Sequence, residues 1–205
     1  CAFNHDGTRL AVAHDSSPYI TIYDTTTTPY TKLSNPTTLP ASYAYGCAFN
    51  HDGTRLAVAH VSSPYITIYD TTTTPYTKLS NPTTLPPGNG YACAFNHNGT
   101  RLAVAHDSSP YITIYDTTTT PYTKLSNPTT LPPDYAYGCA FSHDGVRLAV
   151  AHVSSPYITA YGVVYGTPLA YKANNLLSGL AGRYGYAKEN ISLSAMGKVD
   201  VLFEA

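Results

Sequence analysis

Four near-copies of one 46-residue unit run through this chain, each opened by a cysteine, at Cys1, Cys47, Cys93 and Cys139. A fixed period of this length is the mark of a repeat architecture, in which each unit is one small supersecondary element that must bury a face against its neighbour. Against residues 1–40, the second copy differs only by Val61 for Asp15 and the third only by Asn98 for Asp6. So close a likeness constrains function as well as fold. A catalytic site needs unlike groups converging on one asymmetric spot, whereas equivalent units present the same groups several times over. Repetition therefore points to scaffolding or multivalent binding, and no enzymatic activity is expected.

With 205 residues, the chain can bury roughly 70% of its unfolded surface if the repeats stack. Only 11% of residues are charged, the net charge is −1, and Tyr (20) and Pro (16) are abundant while Trp is absent. Each full copy supplies one Arg and one Lys, Arg9 and Lys32 in the first, too little positive charge to seek phosphates, which argues against nucleic acid as a partner. A surface so poor in charge stays soluble through hydroxyl and amide groups, a composition suited to a virion or extracellular protein. The cysteines share one repeat position instead of forming close pairs and are expected to be buried small apolar residues, not disulfides. No stretch reaches the roughly 18 apolar residues of a membrane helix, so no membrane insertion is expected. The sequence opens inside a repeat without an initiator Met or a signal peptide, which reads as a processed or truncated piece of something longer.

Within a unit the apolar residues alternate and the punctuation is closely spaced, the pattern of short antiparallel strands. The first strand is Cys1 to Asn4. His5-Asp6-Gly7-Thr8 follows, with an Asp-Gly pair suited to the positive backbone angles of a tight hairpin. The second strand, Arg9 to His14, puts Leu10, Val12 and His14 on one face and Ala11 and Ala13 on the other, small enough for a neighbouring sheet to approach. Tyr19 to Tyr23 is the most β-prone segment, rich in aromatic and β-branched residues. Asp24 and the run Thr25 to Thr28 turn the chain into a short outer strand around Tyr30 to Leu33, and Asn35-Pro36 with Leu39-Pro40 links to the next unit.

Strand, Asp-Gly turn, strand, loop, strand ending in an aromatic-Asp pair and a last outer strand is similar to a WD-repeat propeller blade over residues 1 to about 162. Ile22-Tyr23-Asp24, with Ile68-Tyr69-Asp70 and Ile114-Tyr115-Asp116, stands where that family carries its Trp-Asp pair. The sequence departs from the family in having Tyr for Trp, no Gly-His pair before the first strand, and Ala160-Tyr161-Gly162 in the fourth copy. The His-x-Ser-Ser-Pro-Tyr-Ile-Thr segment resembles the WD-like propellers of tailed-phage structural proteins. The resemblance implies an all-β propeller of four WD-like blades (1–46, 47–92, 93–138 and 139–162). Residues 163–205 change composition and read as a C-terminal docking or oligomerisation segment. YKANN and GYAKE within it resemble the C-terminal anchor of small phage virion proteins, Lys198 to Phe203 alternates like a strand, and Ala173 to Leu180 admits a short helix.

The leading functional expectation is a structural propeller that mediates assembly with other virion or extracellular chains, as a homo-oligomer and without a cofactor. The alternative is a multivalent receptor-binding propeller that takes cell-surface glycan. Tyrosine faces beside short acids suit sugars, which nominates Tyr23, Asp24 and Tyr30, then Tyr69, Asp70 and Tyr76, then Tyr115, Asp116 and Tyr122. The competing reading makes each Asp a cap of its Thr turn. His5, His51, His97 and His143 flank the turns, and His14, His60, His106 and His152 end the second strands. Four histidines about an axis suggest a metal, but equivalent positions on adjacent blades are expected farther apart than the roughly 4 Å that two ligands of one ion span, so no metal is assigned. The second set is expected to hold the Ser16-Ser17 loop. Asp15, Val61, Asp107 and Val153 alternate at one position, so nothing essential rests there.

Overall fold

The computed structural model describes residues 1–162. Blade 1 contains β1 (Ala2–Phe3), β2 (Arg9–Ala13), β3 (Ile20–Asp24) and β4 (Thr31–Lys32); blade 2 contains β5 (Ala44–Phe49), β6 (Arg55–His60), β7 (Ile66–Asp70) and β8 (Thr77–Lys78). Blade 3 repeats this with β9 (Gly90–Phe95), β10 (Arg101–His106), β11 (Ile112–Asp116) and β12 (Thr123–Lys124), and blade 4 has β13 (Ala136–Phe141), β14 (Arg147–His152) and β15 (Ile158–Gly162). Each sheet is an antiparallel meander in chain order, and the register recurs from copy to copy, with Arg9 opposite Asp24, Arg55 opposite Asp70 and Arg101 opposite Asp116. The architecture of the described residues is an all-β propeller arrangement of four repeated antiparallel blades.

The first strand of blades 2 to 4 begins before its cysteine, at Ala44, Gly90 and Ala136. It is longer than the Cys-Ala-Phe-Asn run suggests, because the preceding residues continue the pairing through a bulge, with Ala44 opposite His60 and Gly46 opposite Ala59. The Asp-Gly turn also differs from a two-residue hairpin. Only Gly7 takes a positive φ, of 72°, and Asn4 pairs with Arg9 across a four-residue loop. Asp6 spends its carboxylate inside the loop, accepting from the backbone N–H and hydroxyl of Thr8 at 3.0 and 2.7 Å. In the third copy the Asn98 side-chain oxygen accepts the same two bonds from Thr100, at 3.2 and 2.7 Å, so that substitution keeps the turn.

Alternation gives each blade two apolar faces. In blade 2, Leu56, Val58, Tyr69 and Tyr76 pack forward on Ala11, Ile20 and Ile22 of blade 1. The other face of blade 2, with Ala57, Ala59, Ile66 and Ile68, receives Cys93, Leu102, Val104, Tyr115 and Tyr122 of blade 3. The first strands of blades 2 and 3 approach closely at a glycine: a methyl group on Gly46 would lie 2.8 Å from the Tyr91 carbonyl oxygen and 2.9 Å from the Ala92 Cα. Each fully buried Leu, Val or Tyr contributes on the order of 1.5–3 kcal/mol.

Three polar links repeat across the blade junctions. The Cys47 thiol donates to the Ala11 carbonyl at 3.5 Å, Cys93 to Ala57 at 3.5 Å and Cys139 to Ala103 at 3.7 Å. The linker leaving one blade is strapped to the next: Thr37 N–H donates to the Tyr76 carbonyl at 3.0 Å and Thr83 N–H to that of Tyr122 at 2.9 Å. In return the Tyr69 hydroxyl donates to the Thr38 carbonyl and the Tyr115 hydroxyl to that of Thr84, both at 2.9 Å.

The cysteines are unpaired, as expected, but their burial varies. Cys93 is buried, Cys47 and Cys139 are half-buried, and Cys1 is exposed because no described residue lies in front of blade 1 to cover it. Burial pushes the thiols of Cys47 and Cys93 up, and that of Cys139 to about 12. The expected C-terminal docking segment at 163–205, its strand and its helix lie outside the described residues.

Candidate functional site

The first strand of each blade lies beside its equivalents, so its residues form rows that cross the blades. At the end where this strand meets the Asp-Gly loop, the imidazoles of His5, His51, His97 and His143 stand one upon another, with centroids 4.0, 4.1 and 4.6 Å apart and rings tilted by about 50°. This corrects the expectation that equivalent positions would be well separated. The loop carries each ring beside the first strand, where the blades come closest. Beside the row lies an open groove of about 220 Å³ lined by Phe3, Phe49, Phe95, Asn50, Asn96 and the first three histidines.

Burial, and then the charges of His5 and His97, hold the His51 imidazole below its ordinary value, while Asp52 pulls the other way. Near neutrality the His51 ring is therefore neutral, with one N–H donor and one bare nitrogen acceptor. Among the described residues no three of His, Cys, Asp and Glu converge to hold a metal ion.

At the other end of the same strands a tyrosine row runs parallel. Tyr45 and Tyr91 have centroids 5.4 Å apart, and Tyr91 and Tyr137 4.7 Å. Tyr45 and Tyr137 are 54% and 51% exposed, and Tyr91 between them is half-buried.

The residues nominated for sugar binding do not form an open cluster. Tyr69, Tyr76, Tyr115 and Tyr122 are buried in the blade junctions, where the preceding linker covers them and accepts the hydroxyls of Tyr69 and Tyr115. Tyr23 is half-buried and Tyr30 is 48% exposed, since blade 1 has no such linker in front of it. Asp24, Asp70 and Asp116 each accept from the backbone N–H and hydroxyl of the Thr two residues on, at 2.9 and 2.6 Å. Their second oxygens face Arg9, Arg55 and Arg101 at 3.1, 3.4 and 3.6 Å. Those hydrogen bonds first, and the guanidinium charges less strongly, hold all three carboxyls below the usual carboxylate value. Arg147 faces Gly162 instead.

The second set of histidines is also consumed internally. His14, His60, His106 and His152 meet the hydroxyls of Thr21, Thr67, Thr113 and Thr159 on the neighbouring strand at 2.9 to 3.0 Å, while the other nitrogen of His60 meets the Val61 carbonyl at 3.2 Å at the entry to the serine loop, and the backbone of Ser62 and of Ser108 also bears on His60 and His106. Burial lowers His60 and pushes His106 down to about 4.

No family model and no curated protein matches the chain. Among solved structures, the arrangement is similar to the Kuenenia stuttgartiensis hydrazine synthase, at a TM-score of 0.63 and 16% identity over 79% of this chain and 45% of that one. The present chain thus spans less than half of that structure's length, and a likeness at this identity establishes the fold alone. Fold and repeat together define a β-propeller built of repeated four-stranded blades, with aromatic side chains arranged in rows across them.

Proposed function

We propose that this chain is a non-enzymatic assembly scaffold, a structural propeller of a virion or extracellular structure that holds other protein chains against its repeated surface. One observation carries this reading. The Asp and second-set His side chains capable of chemistry are engaged within their own blades, while the aromatic groups at the surface recur as rows across the blades. An extended or repeated partner can meet Tyr45, Tyr91 and Tyr137 together, gaining avidity from linked weak contacts. The charge-poor, hydroxyl-rich composition supports the setting.

A second reading, a multivalent binder of cell-surface glycan, draws on the same exposed tyrosine row, since sugar rings stack on such faces. A glycan array probed with the chain and with a Tyr45→Ser/Tyr91→Ser/Tyr137→Ser variant separates the two. The scaffold reading expects no saturable binding by either protein. Saturable binding that the triple variant loses would replace the scaffold with the lectin.

A further inference from the structure

Four side chains that neither the packing of the blades nor the assembly role uses stand together at one end of the first strands. His5, His51, His97 and His143 are each one 46-residue repeat apart in the sequence, yet their ring centroids lie only 4.0, 4.1 and 4.6 Å from one to the next. The fold makes them neighbours, because the first strands press together so tightly that a methyl group on Gly46 would strike the backbone of Tyr91 and Ala92. His14, His60, His106 and His152 are turned onto strand threonines. Among the described residues, by contrast, no hydrogen bond engages a ring nitrogen of His5, His51, His97 or His143. His51 is half-buried and the other three are exposed, so the row is a line of uncommitted nitrogen donors that solutes can reach.

We propose that this row binds a divalent transition metal of the zinc and nickel kind, each ion shared by two adjacent imidazoles and completed by water. Two imidazoles that hold one ion through nitrogens about 2.0–2.1 Å from it have ring centroids roughly 4.5–5 Å apart at angles between square and tetrahedral. The rings of the row stand at that spacing or slightly inside it, so side-chain rotation suffices to admit the ion. Imidazole nitrogen selects zinc, nickel or copper over magnesium and calcium, which take oxygen ligands. Because no third His, Cys, Asp or Glu converges among the described residues, the site is an open one that exchanges its ion with solvent, unlike a closed structural site of four protein ligands. Four rings in line divide into two separate pairs, His5 with His51 and His97 with His143, so two ions fill the row. Each ion ties one blade to the next. The partners of a pair are a full repeat apart in the chain and meet only when it is folded, so the metal stabilises the folded state alone. This goes beyond the scaffold reading and does not depend on it, since the histidine row lies at the opposite end of the first strands from the tyrosine row.

Calorimetric titration of the full chain with zinc chloride and, separately, nickel chloride tests the site, with the exposed Cys1 thiol alkylated beforehand so that it cannot take the metal. The wild type should bind about two ions per chain, with saturation below about 1 mM. His51→Gln leaves only the His97–His143 pair and should bind one ion. His5→Gln/His143→Gln leaves only the central pair and should also bind one. His51→Gln/His97→Gln breaks every adjacent pair while keeping two histidines, and should lose roughly tenfold or more in affinity. The melting temperature of the wild type should rise with metal and return with EDTA, and that of His51→Gln/His97→Gln should not respond. A wild type that takes up neither metal overturns the proposal. Undiminished binding by His51→Gln/His97→Gln also overturns it, because the ion would then sit on other groups.

Discussion

Blades 1 and 3 contain nearly the same residues and differ in what surrounds them. Leu102 and Val104 in β10 are fully buried, while Leu10 and Val12, the same side chains in β2, are half-buried. Among the described residues blade 3 has a neighbour on both faces and blade 1 on one. Burial here is set by position in the array, the behaviour of a quasi-one-dimensional protein whose stability sums intrinsic blade terms and nearest-neighbour terms. The same contrast separates Ile112, fully buried, from Ile158, mostly exposed.

The sharpest way to break this comparison is to make one deletion in both settings. Leu102→Ala should cost about 2–5 kcal/mol by urea unfolding, through lost transfer energy and a cavity that cannot collapse. Leu10→Ala should cost about 1 kcal/mol or less, because its site is already half open. Equal losses would show that the blades do not depend on their neighbours.

Acid should act on the interior in the same sense. His106 is pushed down from 6.5 to about 4 by burial, so between those values the unfolded chain binds a proton that the folded chain does not. Stability is then fully present above about pH 6.5 and falls as the pH drops toward 4, by about 3 kcal/mol for this residue. His60 and His51 are lowered in the same direction. A melting temperature measured across this window should decline with acidification and decline less in His106→Gln. A flat profile would contradict the burial argument.

The smallest effect concerns the ion pairs. Asp70→Asn keeps an acceptor for Thr72 but removes the charge facing Arg55, and should cost about 0.2–1 kcal/mol, as expected for a pair that water still reaches. Blade 4 offers the reverse experiment: Gly162→Asp, opposite Arg147, should stabilise by no more than that amount. A loss of several kcal/mol from Asp70→Asn would instead make the pair a principal support of the blade.

The period, the strand types and the alternation of faces were legible from residues such as Leu10, Ala11, Val12 and Ala13, because a two-residue periodicity states which side chains share a side. Each Asp as a turn cap was legible from the Thr two positions later. The fate of Tyr69 and Tyr115 was not, since the linker that covers them comes from another copy, and a repeat read singly contains no neighbour. The tyrosine row was hidden by phasing. Placing the boundary at the cysteine assigned Tyr45, Tyr91 and Tyr137 to the end of a linker, and residues 1–40 lack the position altogether. Their recurrence at the repeat interval was the available signal. The histidine row could not be seen, because spacing along the chain does not say how near adjacent blades lie.

The links that strap each linker to the following blade carry one further consequence, for how fast such a molecule can form. Tyr69 reaches back 31 positions to Thr38, Cys47 reaches 36 to Ala11, and Thr37 reaches 39 to Tyr76. Every longer-range bond of this kind closes a loop of about one repeat, so adding blades lengthens the chain without lengthening the loops that must close. Relative contact order therefore falls as the array grows, and the entropic barrier to docking a blade stays that of a single repeat.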